Sequence, residues 1–329
     1  MRNKVLVLLG LIALALSVVG CQKSERTPAP VEPAEVRRPL VVATTTMIAD
    51  MARKIGGPDI EVVGLMKLGQ DPHAYQPTPE DAVAIRNADL VLANGLRLER
   101  GLDDLIAAAG NKAVELGGHP VIITREGQGG APDPHIWWNA MFFRTCATET
   151  TARLLKLRPD KANDIRGRAA WLLTELSELH QYTAIAIAQI PEKKRLLVTS
   201  HAAFNYFGEA YNIEVAPVLG TDPDTPPNTG ESARLAALCA KRGVPAMFHE
   251  NSVSPAQNEL IDAVLRLAKK KKNFPIVVAG TLSSGSLGEP GTPAGSYLGA
   301  FKQNVRIIVE ALAGKKAHPY FYQKDRRAR

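Results

Sequence analysis

The chain has 329 residues, of which 45% are apolar, 22% charged and 5% aromatic. This composition excludes a largely disordered protein and supplies enough apolar side chains for two folded domains. The formal net charge is +7, but the basic residues are scattered or terminal and do not alternate with aromatic ones, which argues against nucleic-acid binding.

The N-terminus predicts export. Two basic residues precede the apolar run 5–20, which is typical of a signal peptide and short for a membrane span. The run ends in Val-Val-Gly-Cys21, which resembles a bacterial lipobox and predicts lipidation of Cys21 after removal of residues 1–20. The alternative is a plain secretory peptide with an incidental cysteine. Residues 21–38, rich in proline and polar side chains, then form a flexible tether that holds the protein outside the cytoplasmic membrane, in the periplasm or at the cell surface.

Strand-like and helix-like segments alternate after the tether. Apolar runs predict strands at 40–43, 60–65, 89–93 and 121–123, with helical segments between them. This alternation is typical of an α/β fold with a parallel sheet covered by helices. We assign residues 39–158 to an N-terminal α/β lobe.

A long helix is predicted at 159–191, because apolar residues recur there at helical spacing without a strong breaker. At about 1.5 Å per residue it suits a link between two lobes. A C-terminal α/β lobe follows at 192–329, with predicted strands at 195–198, 213–216, 245–248 and 275–278 and a last helix around 305–312. Cys146 and Cys239 fall in helical segments of different lobes, so we expect buried, unpaired thiols.

One short motif occurs twice. Asp71-Pro72-His73-Ala74-Tyr75 and Asp133-Pro134-His135-Ile136-Trp137 share the pattern Asp-Pro-His-any-aromatic. Proline fixes its own φ and keeps the preceding aspartate out of the helical region, so each histidine is presented from a stiff loop. His201 directly follows another predicted strand. Three imidazoles at loop ends, where open α/β sheets bind their ligands, suggest a metal site, although a lone histidine is more often a surface or hydrogen-bonded residue.

Five segments together resemble the zinc/manganese-binding solute-binding lipoproteins of bacterial metal ABC transporters, the cluster that includes streptococcal adhesin-like and treponemal metal receptors. They are residues 69–78, 88–95, 133–137, 200–207 and 291–297. The resemblance covers nearly all of the mature chain. It implies two similar α/β lobes joined by one long rigid helix, and a buried metal site in the cleft between them at the positions of His73, His135 and His201.

The chain departs from this family at the fourth ligand. The family usually has aspartate where this chain has Gly285, which cannot coordinate a metal. Three possibilities follow: a site of three histidines and water, a substitute carboxylate, or loss of metal binding. Glu250 is the first substitute, with Asp222 and Asp224 behind it. Glu250 is equally suited to orienting a histidine from behind.

Three neutral imidazoles with an open position favour Zn²⁺ over the alternatives Mn²⁺ and Fe²⁺. Against zinc, the loop before His135 lacks the His-rich insertion that zinc-specific members of the family often carry. The predicted function is capture of the ion and delivery to an ABC permease with its ATPase subunit, by a monomer that is not an enzyme. The alternatives are a zinc metalloenzyme built on three histidines, whose bound water would be the nucleophile, and an adhesin-like surface protein.

Overall fold

The computed structural model describes residues 37–127, 130–224, 226–272 and 275–323. The predicted signal peptide, Cys21 and nearly all of the predicted tether lie outside the described residues. Among the residues that are described, no helix has both the length and the apolarity needed to cross a membrane.

The first half of the chain builds one parallel sheet of four strands. They are β1 (Leu40–Ala43), β2 (Glu61–Gly64), β3 (Leu90–Ala93) and β4 (Ala113–Glu115), in the order β2-β1-β3-β4. The central strands β1 and β3 consist of apolar residues that are almost all buried, as expected where helices cover both faces of a sheet. The first three predicted strands are thus confirmed within a residue or two.

The predicted fourth strand at 121–123 is wrong. The strand lies earlier, where Ala113, Val114 and Glu115 pair with β3. Residues 121–123 form a surface turn in which Ile122 donates its N–H to the carbonyl oxygen of His119. Only the middle residue of the apolar run is buried, whereas the Val121 and Ile123 side chains are 62% and 80% exposed. The run therefore lacks the two covered faces that an apolar strand requires.

Helices cover this sheet, and short polar side chains set where several of them begin. They are α1 (Thr46–Gly56), α2 (Pro79–Asn87), α3 (Asp103–Ala109) and α4 (Ala140–Leu157). The side chains of Thr45, Thr78 and Asn139 accept N–H groups from the first turns of α1, α2 and α4. In α2 the Asp81 carboxylate also accepts the backbone N–H of Thr78, which completes a capping box.

A long helix follows in the predicted place. A 3-10 turn at Pro159–Lys161 leads into α5 (Ala162–Ala188), whose 27 residues extend about 40 Å at 1.5 Å per residue. The helix packs against α1 and α4. The lobe boundaries assigned from the sequence on either side of it stay a prediction.

The second half of the chain repeats the parallel α/β arrangement. The strands β5 (Leu196–Thr199), β6 (Glu214–Pro217), β7 (Ala246–Glu250) and β8 (Val277–Leu282) form the parallel pairs β5-β6 and β7-β8, and β7 lies beside β5. The helices are α6 (Asn205–Tyr211), α7 (Glu231–Arg242), α8 (Pro255–Lys272) and α9 (Tyr297–Ala313). Because α5 also packs against α6 and α9, it contacts both halves.

Cys146 in α4 and Cys239 in α7 are buried and free. Burial raises the pKa of the Cys146 thiol to about 12 and that of Cys239 to about 11. Both are therefore neutral apolar side chains, as predicted.

Candidate metal centre

Three loops bring His73, His135 and His201 together. The loops follow β2, β4 and β5, so each histidine stands beyond the carboxyl end of a parallel strand. The ring centroids are 5.0 Å apart for His73 and His135, 5.1 Å for His135 and His201, and 6.0 Å for His73 and His201. One nitrogen from each ring lies within 4.8 Å of the other two. The structure thus gathers three side chains that are far apart in the sequence.

The repeated Asp-Pro-His motif forms the same turn twice. The Asp71 carboxylate accepts the backbone N–H of His73 at 2.9 Å, and the Asp133 carboxylate accepts that of His135 at 3.1 Å. An aspartate that bonds to the backbone two residues later is the usual Asx turn. The turn explains why each motif has aspartate two positions before its histidine.

His135 is fully buried and held from behind. Asp133 Oδ1 lies 2.7 Å from His135 Nδ1, and the other oxygen of this carboxylate accepts a hydrogen bond from the Asn205 amide. The far ring nitrogen, Nε2, lies 3.0 Å from His73 Nε2. Burial lowers the pKa of His135 despite the neighbouring carboxylate, so the ring is neutral at pH 7 and Nε2 can donate its lone pair to a metal.

His201 has an equivalent carboxylate behind it. Glu250, at the end of β7, places Oε2 2.6 Å from His201 Nδ1, while its Oε1 accepts the His201 backbone N–H at 2.8 Å. Burial alone would lower the pKa of His201, but the negative charge and hydrogen bonds of Glu250 raise it above the ordinary value. The imidazole is therefore oriented with Nε2 toward the other two rings. Because its pKa is raised, a metal must compete with a proton for this ring.

His73 is the least buried of the three histidines, although all three belong to one buried cluster. Desolvation, followed by the neighbouring His135 and His201, holds the pKa of His73 well below its usual range. It is neutral at pH 7. In tetrahedral zinc sites the Zn–N distance is about 2.0–2.1 Å, which places ligand nitrogens a little more than about 3 Å apart. The ligand nitrogens of the three rings lie within 4.8 Å of one another, and the 3.0 Å between those of His73 and His135 is close to this spacing.

Hydrogen bonds from the rest of the fold fix the loop of His135. The Asn94 side-chain amide donates to the Pro134 carbonyl oxygen at 3.0 Å, and the indoles of Trp137 and Trp138 both donate to the Ser284 carbonyl oxygen. Trp138 also stacks on Phe204, next to the loop of His201. The two indole bonds join the loop of His135 to the second half of the chain.

The other candidates from the sequence lie at different places. Glu250 engages His201 with both oxygens, which supports the orienting role. Asp222 pairs with the Arg100 guanidinium and accepts the backbone N–H of Asp224. The Asp224 side chain is exposed. Neither aspartate belongs to the histidine cluster found among the described residues.

Gly285 lies against the loop of His73. A Cβ atom at this position would stand 2.7 Å from Ser252 Oγ and 2.9 Å from Pro72 Cδ. The Gly285 N–H also donates to Ser252 Oγ. The space that a side chain at position 285 would need is thus already filled by the neighbours of His73.

Sequence reasoning missed the role of Asp133. The signal was present, because the aspartate two residues before His135 is part of the repeated motif. Asp71 has the same position before His73 but is used differently, since the side chain of His73 is not paired with it. Burial raises the pKa of Asp71 to about 6.

Comparison with known proteins decides the family. Residues 41–311 match the model of the family described as zinc-uptake complex component A, periplasmic. The chain belongs to this family. Relatives in it include the manganese-binding lipoprotein MntA of Bacillus subtilis, 34% identical over 276 residues, which covers 83% of this chain and 89% of MntA. The zinc-binding protein TroA of Treponema pallidum is 33% identical over 279 residues, which covers 84% of this chain and 89% of TroA.

Solved structures of related proteins share the fold. The periplasmic zinc-binding protein TroA of Treponema pallidum superposes with a TM-score of 0.79 at 31% identity, over 84% of this chain and 100% of TroA. The Fe(III)-bound YtgA of Chlamydia trachomatis gives a TM-score of 0.73 at 26% identity, over 85% of this chain and 99% of YtgA. The predicted α/β class with parallel sheets, flanking helices and one long helix is confirmed.

Proposed function

We propose that this protein is the substrate-binding component of a bacterial metal ABC transporter. It captures one divalent transition-metal ion with His73, His135 and His201 and delivers it to a permease driven by an ATPase subunit. The observation that carries the proposal is the convergence of these three imidazoles, two of them held from behind by a buried carboxylate. Family membership supports the transport role, since relatives are named as substrate-binding lipoproteins of metal ABC transporters.

Zinc is the cargo that this donor set favours. The relatives do not decide the metal, because MntA is named for manganese and TroA for zinc. Three imidazole nitrogen donors suit Zn²⁺, whereas Mn²⁺ prefers carboxylate oxygens and more ligands. Gly285 has no side-chain oxygen, and both oxygens of Glu250 are engaged with His201. The metal is cargo and not a catalytic group.

The protein acts outside the cytoplasmic membrane as a monomer anchored by lipid at Cys21. The apolar run before Cys21 supports this proposal, together with relatives that are named lipoproteins. Lipid attachment would keep the carrier close to its permease.

The test is the metal content and metal preference of the protein purified without added metal. We expect about one equivalent of zinc per chain, as three histidines make a single site. In competition with a chelator of known affinity, zinc should outcompete manganese. A protein that binds neither ion would overturn the transport proposal, and a preference for manganese would overturn the choice of cargo.

A further inference from the structure

An ion pair joins the turn of Arg100 to the loop of Asp222. Arg100 Nη2 lies 2.5 Å from Asp222 Oδ2, and the two residues are 122 positions apart in the sequence. Arg100 stands in a 3-10 turn after β3, and Asp222 in the loop after β6. Their side chains are 45% and 26% exposed. The pair therefore links the two halves of the chain near the surface.

The turn of Arg100 rests on the loop of His73. At Gly101 an added Cβ would lie 2.3 Å from the carbonyl oxygen of Tyr75, so the two backbones are in direct contact. Tyr75 is two residues after His73, and its buried ring is fixed by a hydrogen bond from its hydroxyl to Asp81. A displacement of Arg100 would therefore also displace the segment that carries His73.

The loop of Asp222 is bonded to the loop of His201. Leu219 donates its N–H to the Ser200 carbonyl oxygen at 2.9 Å, and Ala202 donates to the Gly220 carbonyl oxygen at 3.0 Å. These two bonds bracket His201. A displacement of Asp222 would therefore also displace the segment that carries His201.

The tip of the Asp222 loop is also fixed. The Gln257 side chain donates to the Pro223 carbonyl oxygen, and Asp222 accepts the N–H of Asp224. On the facing side Thr221 approaches Gly127 so closely that a Cβ there would stand 2.9 Å from its hydroxyl oxygen. The loop of Asp222 is thus fixed to α8 of its own half through Gln257, and it touches the first half of the chain at Gly127.

We propose that Arg100 and Asp222 form a clasp that fastens the loop of His73 to the loop of His201 and slows metal exchange. The inference rests on the proposed function, because it concerns exchange at the same three histidines. His73 is the least buried of the three histidines, and the turn of Arg100 contacts the loop that carries it, so we place the path of the metal on this side of the cluster. Both residues are positioning residues that act through the histidine loops.

The clasp can be separated from simple electrostatics. If the two charges acted only at long range on the ion, removing Arg100 would favour metal binding and removing Asp222 would oppose it. A clasp instead predicts that both substitutions have the same effect, because removing either residue frees the same two loops. The variants Arg100→Gln and Asp222→Asn should therefore shift the rate of metal release in the same direction.

The experiment is stopped-flow release of zinc from the loaded, folded protein into an excess of chelator. Release should be about two- to fivefold faster in Arg100→Gln and in Asp222→Asn, the range expected for one partly exposed ion pair. The charge-swapped double variant, Arg100→Asp with Asp222→Arg, should restore slow release. Wild-type release should accelerate as sodium chloride is raised, and the two single variants should lose most of this salt dependence.

Arg234→Gln is the matched control, because Arg234 also forms an exposed ion pair, with Glu231 inside α7. Its release rate should equal that of the wild type. Unchanged rates in both clasp variants, shifts in opposite directions, or failure of the swap to restore slow release would each overturn the clasp. A wild-type protein that binds neither zinc nor manganese would instead overturn the proposed function, so the two failures are distinguishable.

Discussion

Glu250 holds His201 at two points, with Oε2 2.6 Å from the ring Nδ1 and Oε1 accepting the backbone N–H of the same residue. The two residues are 49 positions apart and meet because β7 lies beside β5. The carboxylate thus fixes both the loop and the ring, and it leaves Nε2 as the nitrogen that faces the other histidines.

Glu250→Gln should weaken zinc binding about 10- to 100-fold at pH 8, the usual effect of removing an acid behind a metal-bound histidine. The amide keeps the shape of the side chain but lacks the charge that stabilises the metal-bound imidazole. Isothermal titration with zinc measures the change. An affinity equal to that of the wild type would show that Glu250 does not support His201.

The same substitution should flatten the pH dependence of zinc binding. In the wild type Glu250 raises the pKa of His201, so zinc must displace a proton below that pKa and the affinity falls as the pH drops. Without the carboxylate, burial lowers the pKa of His201, and the fall begins at a lower pH. Zinc titrations between about pH 8 and pH 6 measure this dependence. Parallel profiles of zinc affinity against pH in the wild type and in Glu250→Gln would contradict this account.

Position 285 tests how tightly the loop of His73 is packed. Gly285→Ala should destabilise the fold by about 1–3 kcal/mol, because the methyl group must displace Pro72 or Ser252. Displacement of Pro72 moves His73, so zinc affinity should fall as well. Thermal unfolding and zinc titration measure the two effects. A variant with unchanged stability and affinity would show that the contact yields easily.

Gly285→Asp adds a carboxylate at the same place, and Gly285→Ala is its steric control. Relative to the alanine variant, the aspartate variant should bind manganese proportionally more strongly than zinc, because an oxygen ligand helps the harder ion more. Competition titrations give the affinity ratio. If the ratio is the same in both variants, the side chain at 285 does not reach the metal.

Much of the fold followed from the sequence because buried parallel strands are continuous apolar runs, as in β1 and β3. The same rule failed at Val121 and Ile123, since an apolar run also occurs in an exposed turn, and β4 has only Val114 buried. The three histidines were predictable from the repeated motif and the strand ends. Glu250 was predicted as a substitute ligand or as an acid that orients a histidine, but its pairing with His201 depends on β7 lying beside β5, which the sequence did not show. The pairing of Arg100 with Asp222 was not predicted, because it joins segments from the two halves of the chain.

Cys21→Ala should release the protein from the membrane. Cys21 lies outside the described residues, and the prediction rests on the apolar run and lipobox-like end that precede it. Acyl chains supply the strong hydrophobic attachment in this account. Fractionation of cells followed by a salt wash checks it, and a variant that still sediments with membranes would show that the cysteine is incidental.

The central claim is that His73, His135 and His201 together bind the metal, and calorimetry of His135→Ala tests it most directly. The control is His249→Ala, since His249 pairs with Asp262 and lies outside the cluster. We expect wild type and His249→Ala to bind one zinc ion with equal affinity. The zinc affinity of His135→Ala should fall by more than about 100-fold, which is the largest loss expected from removing a supporting carboxylate. Unchanged zinc affinity in a folded His135→Ala protein would contradict the account.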